Sequence, residues 1–378
     1  MQTARSSAFA SQLRAHIAYQ NAPCSSCSRQ DLIYDFAYDQ LSDSVAWGLG
    51  RDVHGYAGFA HAANVPWRRP SHTDVNNFAI FHSEISSVSI SNDRLAVFTA
   101  LNASDRNVFI AALADPSHPD FRAEGLDETL FTPTYLRLGI EETLWASSPN
   151  PPGGQNWTVI GASGHAFMLE PTGRTVNTYP SSSDVRAVDW LNPNTAVLGM
   201  LRRTLLWDSR TAGTSMRFKH SEAVSAVRRL NDKQVVVGGP LSTCIYDVRM
   251  PVQRPYSQYN KQVRRNNHVE NSTQPVLRID APTKNPRTTL DVWPDAHILA
   301  RRDDANVIQL YSLTDGRSIG ALGKPDHSRD KAWIRRLRFV EDNKGSTSLM
   351  SCKGAEIEKW TYGGLQNDEG EPRPVWRS

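Results

Sequence analysis

Residues 185–210 read VRAVDWLNPNTAVLGMLRRTLLWDSR, and residues 224–249 read VSAVRRLNDKQVVVGGPLSTCIYDVR. One offset, 224 minus 185 or 39 residues, superposes them. It carries Val185, Val188, Leu191 and Asn192 onto Val224, Val227, Leu230 and Asn231. It carries Val197-Leu198-Gly199 onto Val236-Val237-Gly238, and Leu206-Trp207-Asp208-Ser209-Arg210 onto Ile245-Tyr246-Asp247-Val248-Arg249. Two apolar clusters, a turn and a terminal aromatic-Asp-x-Arg share one shift, which chance rarely produces. Self-similarity near 40 residues marks a repeat architecture. Inside each unit, short apolar runs are punctuated by Asn, Asp, Pro and Gly. Runs of that length with those breakers are strands, not helices. Short strands at this spacing, in a repeat ending Trp-Asp, select a β-propeller over a sandwich or barrel.

Length fits that architecture: 378 residues accommodate seven units of roughly 40–45 residues each. The expected fold is all-β, a WD40-type propeller of seven blades. At 39% hydrophobic and 21% charged, the chain has the composition of a globular protein. No run of 18 apolar residues occurs, so no membrane span is expected. A net charge of +3 argues neither for nor against a nucleic-acid surface, and no nucleic-acid partner is expected. Four cysteines, at 24, 27, 244 and 352, make no disulfide framework. This fits a reducing compartment, nuclear or cytoplasmic. Cys24-Ser-Ser-Cys27 has metal-ligand spacing, but no second pair follows it, so neither a metal site nor a cofactor is expected.

Taken in order, residues 1–30 are free of acid and carry Arg5, Arg14 and Arg29. They read as a flexible tail with one short helix over residues 8–19. Residues 31–362 read as the propeller. Within it, residues 31–76 give weak strand signals at 32–38 and 45–48, and 115–142 read as a surface connection. Residues 260–288 read as an insertion loop outside the ring, polar and proline-containing, with Lys261, Arg264 and Arg265 as a basic client-binding surface. Residues 363–378 form a second tail. Phe109, Phe167, Trp207, Tyr246, Tyr311 and Trp360 are the aromatics that close the third strand of six units. The seventh blade is expected from 31–76, completed by C-terminal residues, because a ring with unpaired ends leaves open edges.

Catalytic motifs are absent from the sequence. There is no phosphate loop and no His-Glu-x-x-His; Gly161-Ala-Ser163-Gly164-His165 falls short of a nucleophile elbow and reads as a turn. The eleven histidines are scattered. His220, just before the second unit, is expected to cap a strand by hydrogen bonding rather than to react.

The two terminal motifs, Trp207-Asp208-Ser209-Arg210 and Tyr246-Asp247-Val248-Arg249, resemble the Trp-Asp-x-Arg boxes of substrate receptors for cullin-4 RING ubiquitin ligases. Residues 195–210 and 234–249 match the box in the apolar-small run and in the ending. They depart from it at the internal Asp, where Leu201 and Pro240 stand, and at Tyr246, which replaces Trp. A wider resemblance runs across 184–362. A repeat ending Trp-Asp-x-Arg is followed by His-Ser-x-Ala-Val-x-x-Val-Arg, Tyr-Asp-x-Arg, Gln258-Tyr259, a long loop, Tyr311-Ser312-Leu313 and a last unit. In this the chain is similar to the branch of the cullin-4-associated factor family typified by its fourth member, in a divergent, fungal-type form. The resemblance implies a non-enzymatic scaffold that docks on the ligase adaptor through Asp208, Arg210, Asp247 and Arg249 and holds a client protein elsewhere. A generic WD-repeat scaffold of another nuclear or cytoplasmic complex is the alternative. Two arginines in equivalent positions of consecutive repeats are expected on one face, there either to dock the adaptor or to salt-bridge their own Asp or a neighbouring blade.

Overall fold

The computed structural model describes residues 13–20, 32–41, 44–51, 54–61, 76–81, 84–101, 104–113, 131–140, 142–211, 214–249, 274–285, 287–323, 325, 333–342, 345–354 and 356–362. Every regular element among them is a strand. In chain order, β1 (Leu13–Gln20) precedes a first complete sheet of β2 (Leu32–Asp39), β3 (Ser44–Arg51), β4 (His54–His61) and β5 (Asn76–Phe81). The second sheet is β6 (Ile85–Ile90), β7 (Leu95–Ala100), β8 (Ser104–Leu113) and β9 (Phe131–Ile140). The third is β10 (Leu144–Pro149), β11 (Thr158–Ala162), β12 (His165–Leu169) and β13 (Thr175–Pro180).

The duplicated stretch then supplies two neighbouring sheets. One is β14 (Val185–Asn192), β15 (Thr195–Asp208) and β16 (Thr214–Ala223); the other is β17 (Ala226–Asn231), β18 (Gln234–Gly238), β19 (Ser242–Asp247) and β20 (Leu277–Asp280). The long β15 doubles back at Arg202, whose φ is 59°. Its first half pairs with β14 and its second half with β16. The Ser209 N–H reaches the Asn194 carbonyl at 2.8 Å, and its counterpart one repeat on, Val248 N–H, reaches Lys233 at 2.8 Å. The sixth sheet is β21 (Leu290–Trp293), β22 (Ile298–Arg302), β23 (Ile308–Ser312) and β24 (Ser318–Leu322). The seventh is β25 (Ile334–Glu341), β26 (Thr347–Lys353) and β27 (Glu356–Tyr362), with β1 as its outermost strand.

The first strand of each sheet lies beside the first strand of the next: β2 by β6, β6 by β10, β10 by β14, β14 by β17, β17 by β21, β21 by β25, and β25 by β2. The sheets therefore close a ring, a β-propeller with its first strands around the axis. The apolar core is radial. One cluster joins Val159, Ala166 and Met168 of the third sheet to Val185, Trp190, Leu198 and Trp207 of the fourth. The next joins Val197, Leu206 and Phe218 of the fourth to Val227, Val235 and Tyr246 of the fifth. Trp207 stands beside Tyr179 with ring centroids 6.0 Å apart, and Tyr246 stands beside Phe218 at 5.7 Å. Gly199 and Gly238 occupy the same place in the two units because the next sheet passes close by. A Cβ on Gly199 would come within 2.6 Å of Val224 and 2.8 Å of Val227, and one on Gly238 would collide with Leu290.

Five expectations change, the last of them that the closing aromatics Trp207, Tyr246, Tyr311 and Trp360 are all buried. Residues 13–20, placed in a tail with a helix, are a strand: β1 pairs antiparallel with β27, from Leu13 opposite Tyr362 to Gln20 opposite Glu356. A strand on β27 satisfies the edge that an isolated helix would leave open. Consequently the 31–76 region needs nothing from the C-terminus; residues 32–81 make a sheet by themselves. The surface connection at 115–142 contains β9, which pairs antiparallel with β8 as the fourth strand of the second sheet. The insertion is shorter than 260–288, since Leu277–Asp280 is the fourth strand of the fifth sheet and buries Ile279. Of the closing aromatics, Phe109, Phe167, Trp207 and Tyr246 are buried, whereas Tyr311 and Trp360 are only half-buried.

Candidate functional site

Strands one and three of a propeller sheet run in the same direction, so their ends share a face. Asp208 ends the second half of β15, which takes the place of a third strand in its sheet, Asp247 ends β19, the third strand of the next, and Arg210 and Arg249 follow them. The four residues therefore lie on one face, one sheet apart. Their geometry is the same in both places. Asp208 Oδ1 accepts the Arg210 backbone N–H at 3.0 Å, and Asp247 Oδ1 accepts the Arg249 N–H at 2.9 Å. This is an Asx turn, the usual reason for Asp at a strand exit. Each guanidinium then folds back on the same carboxylate. Arg210 places Nε 3.0 Å from Oδ1 and Nη2 2.7 Å from Oδ2; Arg249 does so at 3.0 and 2.6 Å. The guanidinium holds each carboxyl well below its ordinary range, at about 2 for both Asp208 and Asp247. The arginines stay exposed, with side-chain accessibilities of 68% and 58%. The other expected surface, Lys261, Arg264 and Arg265, lies outside the described residues.

A second polar system, which the sequence reading did not single out, surrounds the ring axis. Asp35, Asp189 and Asp291 sit on the first strands β2, β14 and β21, and each reaches the neighbouring sheet. Asp35 Oδ2 accepts the Val88 N–H at 2.8 Å, Asp189 Oδ2 the Arg229 N–H at 2.8 Å, and Asp291 Oδ2 the Phe339 N–H at 2.7 Å. The carboxylates thus tie adjacent sheets together at their inner edges. Between them stand Arg228, Arg336 and Arg338. Arg228 Nε donates to Asp291 Oδ1 at 2.6 Å, and Arg336 Nε lies 3.1 Å from Asp35 Oδ1. Enclosure by protein, then the like charge of Arg338, pushes the Arg336 guanidinium down to about 9. One signal was available: Asp189 and Arg228 fall at the same repeat position, a charge inside an apolar strand.

His220 takes the structural role expected of it. Its Nδ1 lies 2.9 Å from the Tyr246 hydroxyl, and the ring meets the Tyr246 ring edge-on. Glu222 faces its other nitrogen at 3.8 Å and is itself tied to the Ser242 hydroxyl and the Leu241 N–H. Burial keeps His220 neutral by lowering its pKa, an effect that Arg278 reinforces and Glu222 opposes. A base whose folded pKa is depressed takes up protons more readily when unfolded. Its stabilising effect is complete above the ordinary histidine value near 6.5 and is lost as pH falls below it. The melting temperature should therefore drop by a few degrees as pH falls through that window. His220→Gln, which cannot titrate, should lose this drop; an unchanged profile would remove His220 as its source.

No group of three or more His, Cys, Asp or Glu side chains that could hold a metal occurs among the described residues. No helix among them is long and apolar enough to cross a membrane. Cys24 and Cys27 lie outside the described residues. No protein-family model matches the chain, and no curated protein matches it. The all-β, repeat-like fold is compatible with a non-enzymatic interaction scaffold.

Proposed function

We propose that this chain is a WD40-type propeller acting as a non-enzymatic substrate receptor. In this reading it docks on the adaptor of a cullin-4 RING ubiquitin ligase, in the nucleus or cytoplasm. The docking residues are Asp208, Arg210, Asp247 and Arg249. One observation carries the reading: two Asp–Arg forks of the same geometry, one sheet apart on one face, each presenting an exposed guanidinium on a more enclosed carboxylate. Each fork uses Nε and Nη2 internally, so among the described residues Nη1 keeps its donors for a partner. A guanidinium held rigid by its own carboxylate loses little entropy when it binds, which favours arginine as an interface anchor. The Trp-Asp strand end and the His220–Tyr246 contact support the WD40 assignment.

The test separates docking from folding. The guanidinium groups are exposed, where ion pairing adds little to stability, so Arg210→Ala with Arg249→Ala should melt within a few degrees of the parent. The same double variant should lose adaptor pull-down from cell extract. Full adaptor capture by the folded variant, or no capture by the parent, would leave a scaffold of some other complex.

A further inference from the structure

The opposite face, where the first strands begin, carries a different chemistry. Trp145 stands at the start of β10. Its ring is covered by two guanidinium groups, Arg186 of the fourth sheet at 5.2 Å and Arg287, just before the sixth, at 6.0 Å. Two sheets that are not neighbours thus meet over one indole, which brings these residues across the mouth of the axis. On the far side, Arg335 at the start of β25 lies 4.0 Å from the centre of the Tyr34 ring. The Tyr34 hydroxyl donates to Glu84 at 2.7 Å. Arg302 ties the two segments together, with Nη1 donating to the carbonyl of Ile334, next to Arg335, at 2.5 Å and Nη2 to that of Arg287 at 3.3 Å, so the backbones that carry the two arginines meet here.

These cations are underused. Arg186 pairs with Asp184 at 3.0 Å, but among the described residues neither Arg287 nor Arg335 has a carboxylate partner. Deeper along the axis, Arg338 makes one long bond, 3.3 Å to the Val88 carbonyl, and its Nε has no hydrogen-bond partner. The indole N–H of Trp145 is also buried without one. Glu84, an acid of the same mouth, accepts the Tyr34 hydroxyl.

We propose that this mouth binds an acidic peptide segment laid across the axis. A guanidinium stacked on an aromatic ring keeps its in-plane donors free for a carboxylate or a phosphoryl group, and the stacking fixes their direction. The cations are spread over the fourth sheet, the segment that enters the sixth, and the seventh sheet, which suits several anionic side chains along one chain better than a single small anion. Nucleic acid fits less well, because the ring faces on which bases would stack are already taken by arginine. The site does not depend on the adaptor reading, since it occupies the other face.

The test uses the full chain and three labelled peptides of equal length: glutamate-rich, phosphoserine-rich and glutamine-rich. Fluorescence anisotropy should show binding of one or both anionic peptides, weakening steeply with added salt, and none of the glutamine peptide. Arg287→Gln with Arg335→Gln should weaken it by about tenfold or more, while Arg210→Ala with Arg249→Ala leaves it unchanged. Because Arg335 is half-buried, Arg287→Gln alone and Arg335→Lys are run beside it, each with a melting curve. Binding only by the phosphorylated peptide assigns phosphoryl recognition; binding by both assigns general carboxylate and phosphoryl recognition. Equal binding of the glutamine peptide, unchanged affinity in the folded double variant, or tighter binding of a single-stranded oligonucleotide would overturn the proposal.

Discussion

Trp207→Ala should destabilise the protein by about 3–5 kcal/mol. The indole is fully enclosed, at 0% exposure, among Met168, Val185, Ala196 and Leu205 and beside Tyr179. It fills the junction between the third and fourth sheets, so truncation opens a void that two stiff sheets cannot both move to close. Its N–H has no hydrogen-bond partner, so the loss is one of packing. Trp207→Phe should therefore recover most of the stability, which would not happen if a polar contact were decisive. Equilibrium denaturant unfolding of the three proteins measures both differences. A cost for Trp207→Ala in the range of a surface substitution, under about 0.5 kcal/mol, would contradict the packing. The half-buried Tyr311 and Trp360 should each cost less when truncated in the same way.

Arg301→Met should be as damaging, for the opposite reason. Arg301 is 1% exposed, yet it carries a guanidinium into the seam between the fifth and sixth sheets. There Nη1 donates to Thr243 Oγ1 at 2.7 Å, and Nη2 donates to the carbonyls of Gly239 at 3.1 Å and Ala281. Burial lowers its pKa, which is the cost of keeping a charge there. Methionine has nearly the right length and no donors. It would strand those acceptors in a dry seam, at about 1–3 kcal/mol for each buried group left unpaired, for a total of about 3–5 kcal/mol. Arg301→Lys should recover part of this, because an ammonium can reach some of the acceptors but cannot fork between them. If the methionine variant unfolds at the parent's denaturant midpoint, the seam is hydrated and the bonds described are exchanged for water.

What the sequence disclosed and what it hid have a common physical origin. Periodicity is local, so Val185–Asn192 and its copy at 224–231 could be read from their own residues. So could the enclosed Trp207 and the hydrogen-bonding duty of His220. Pairing over long separation is not local. The segment Leu13–Gln20 alternates apolar and polar residues along part of its length, but nothing in it points to residues 356–362. Leu277–Asp280 is four residues long and follows a polar stretch, so its strand character comes from β19 rather than from itself. The axial charges were hidden differently. A charged residue inside an apolar strand looks like the solvent side of an ordinary alternation, and only closure of the ring turns Asp35, Asp189 and Asp291 inward to neighbours they could not otherwise meet. The Asp–Arg forks show the limit from the other side. The sequence placed Arg210 and Arg249 together and offered pairing with their own Asp as one role for them, but that both pair in this way and still stay exposed needed coordinates.

The pairing of β1 with β27 also sets the order in which the molecule can be finished on the ribosome. Of the strands described, β1 leaves the exit tunnel first and its partner last. All the intervening sheets can stack on one another as they emerge, since each needs mainly its predecessor. Throughout that time β27 does not exist, β1 has no edge to join, and the growing arc has two unsatisfied ends. Closing so long a loop adds little to the entropic cost, which rises only with the logarithm of its length. The exposure is in time: an unpaired strand and an open arc are available to other nascent chains until synthesis reaches Tyr362. Cells making this protein therefore have a reason to shield its first strand, and slow translation lengthens the interval during which it needs shielding.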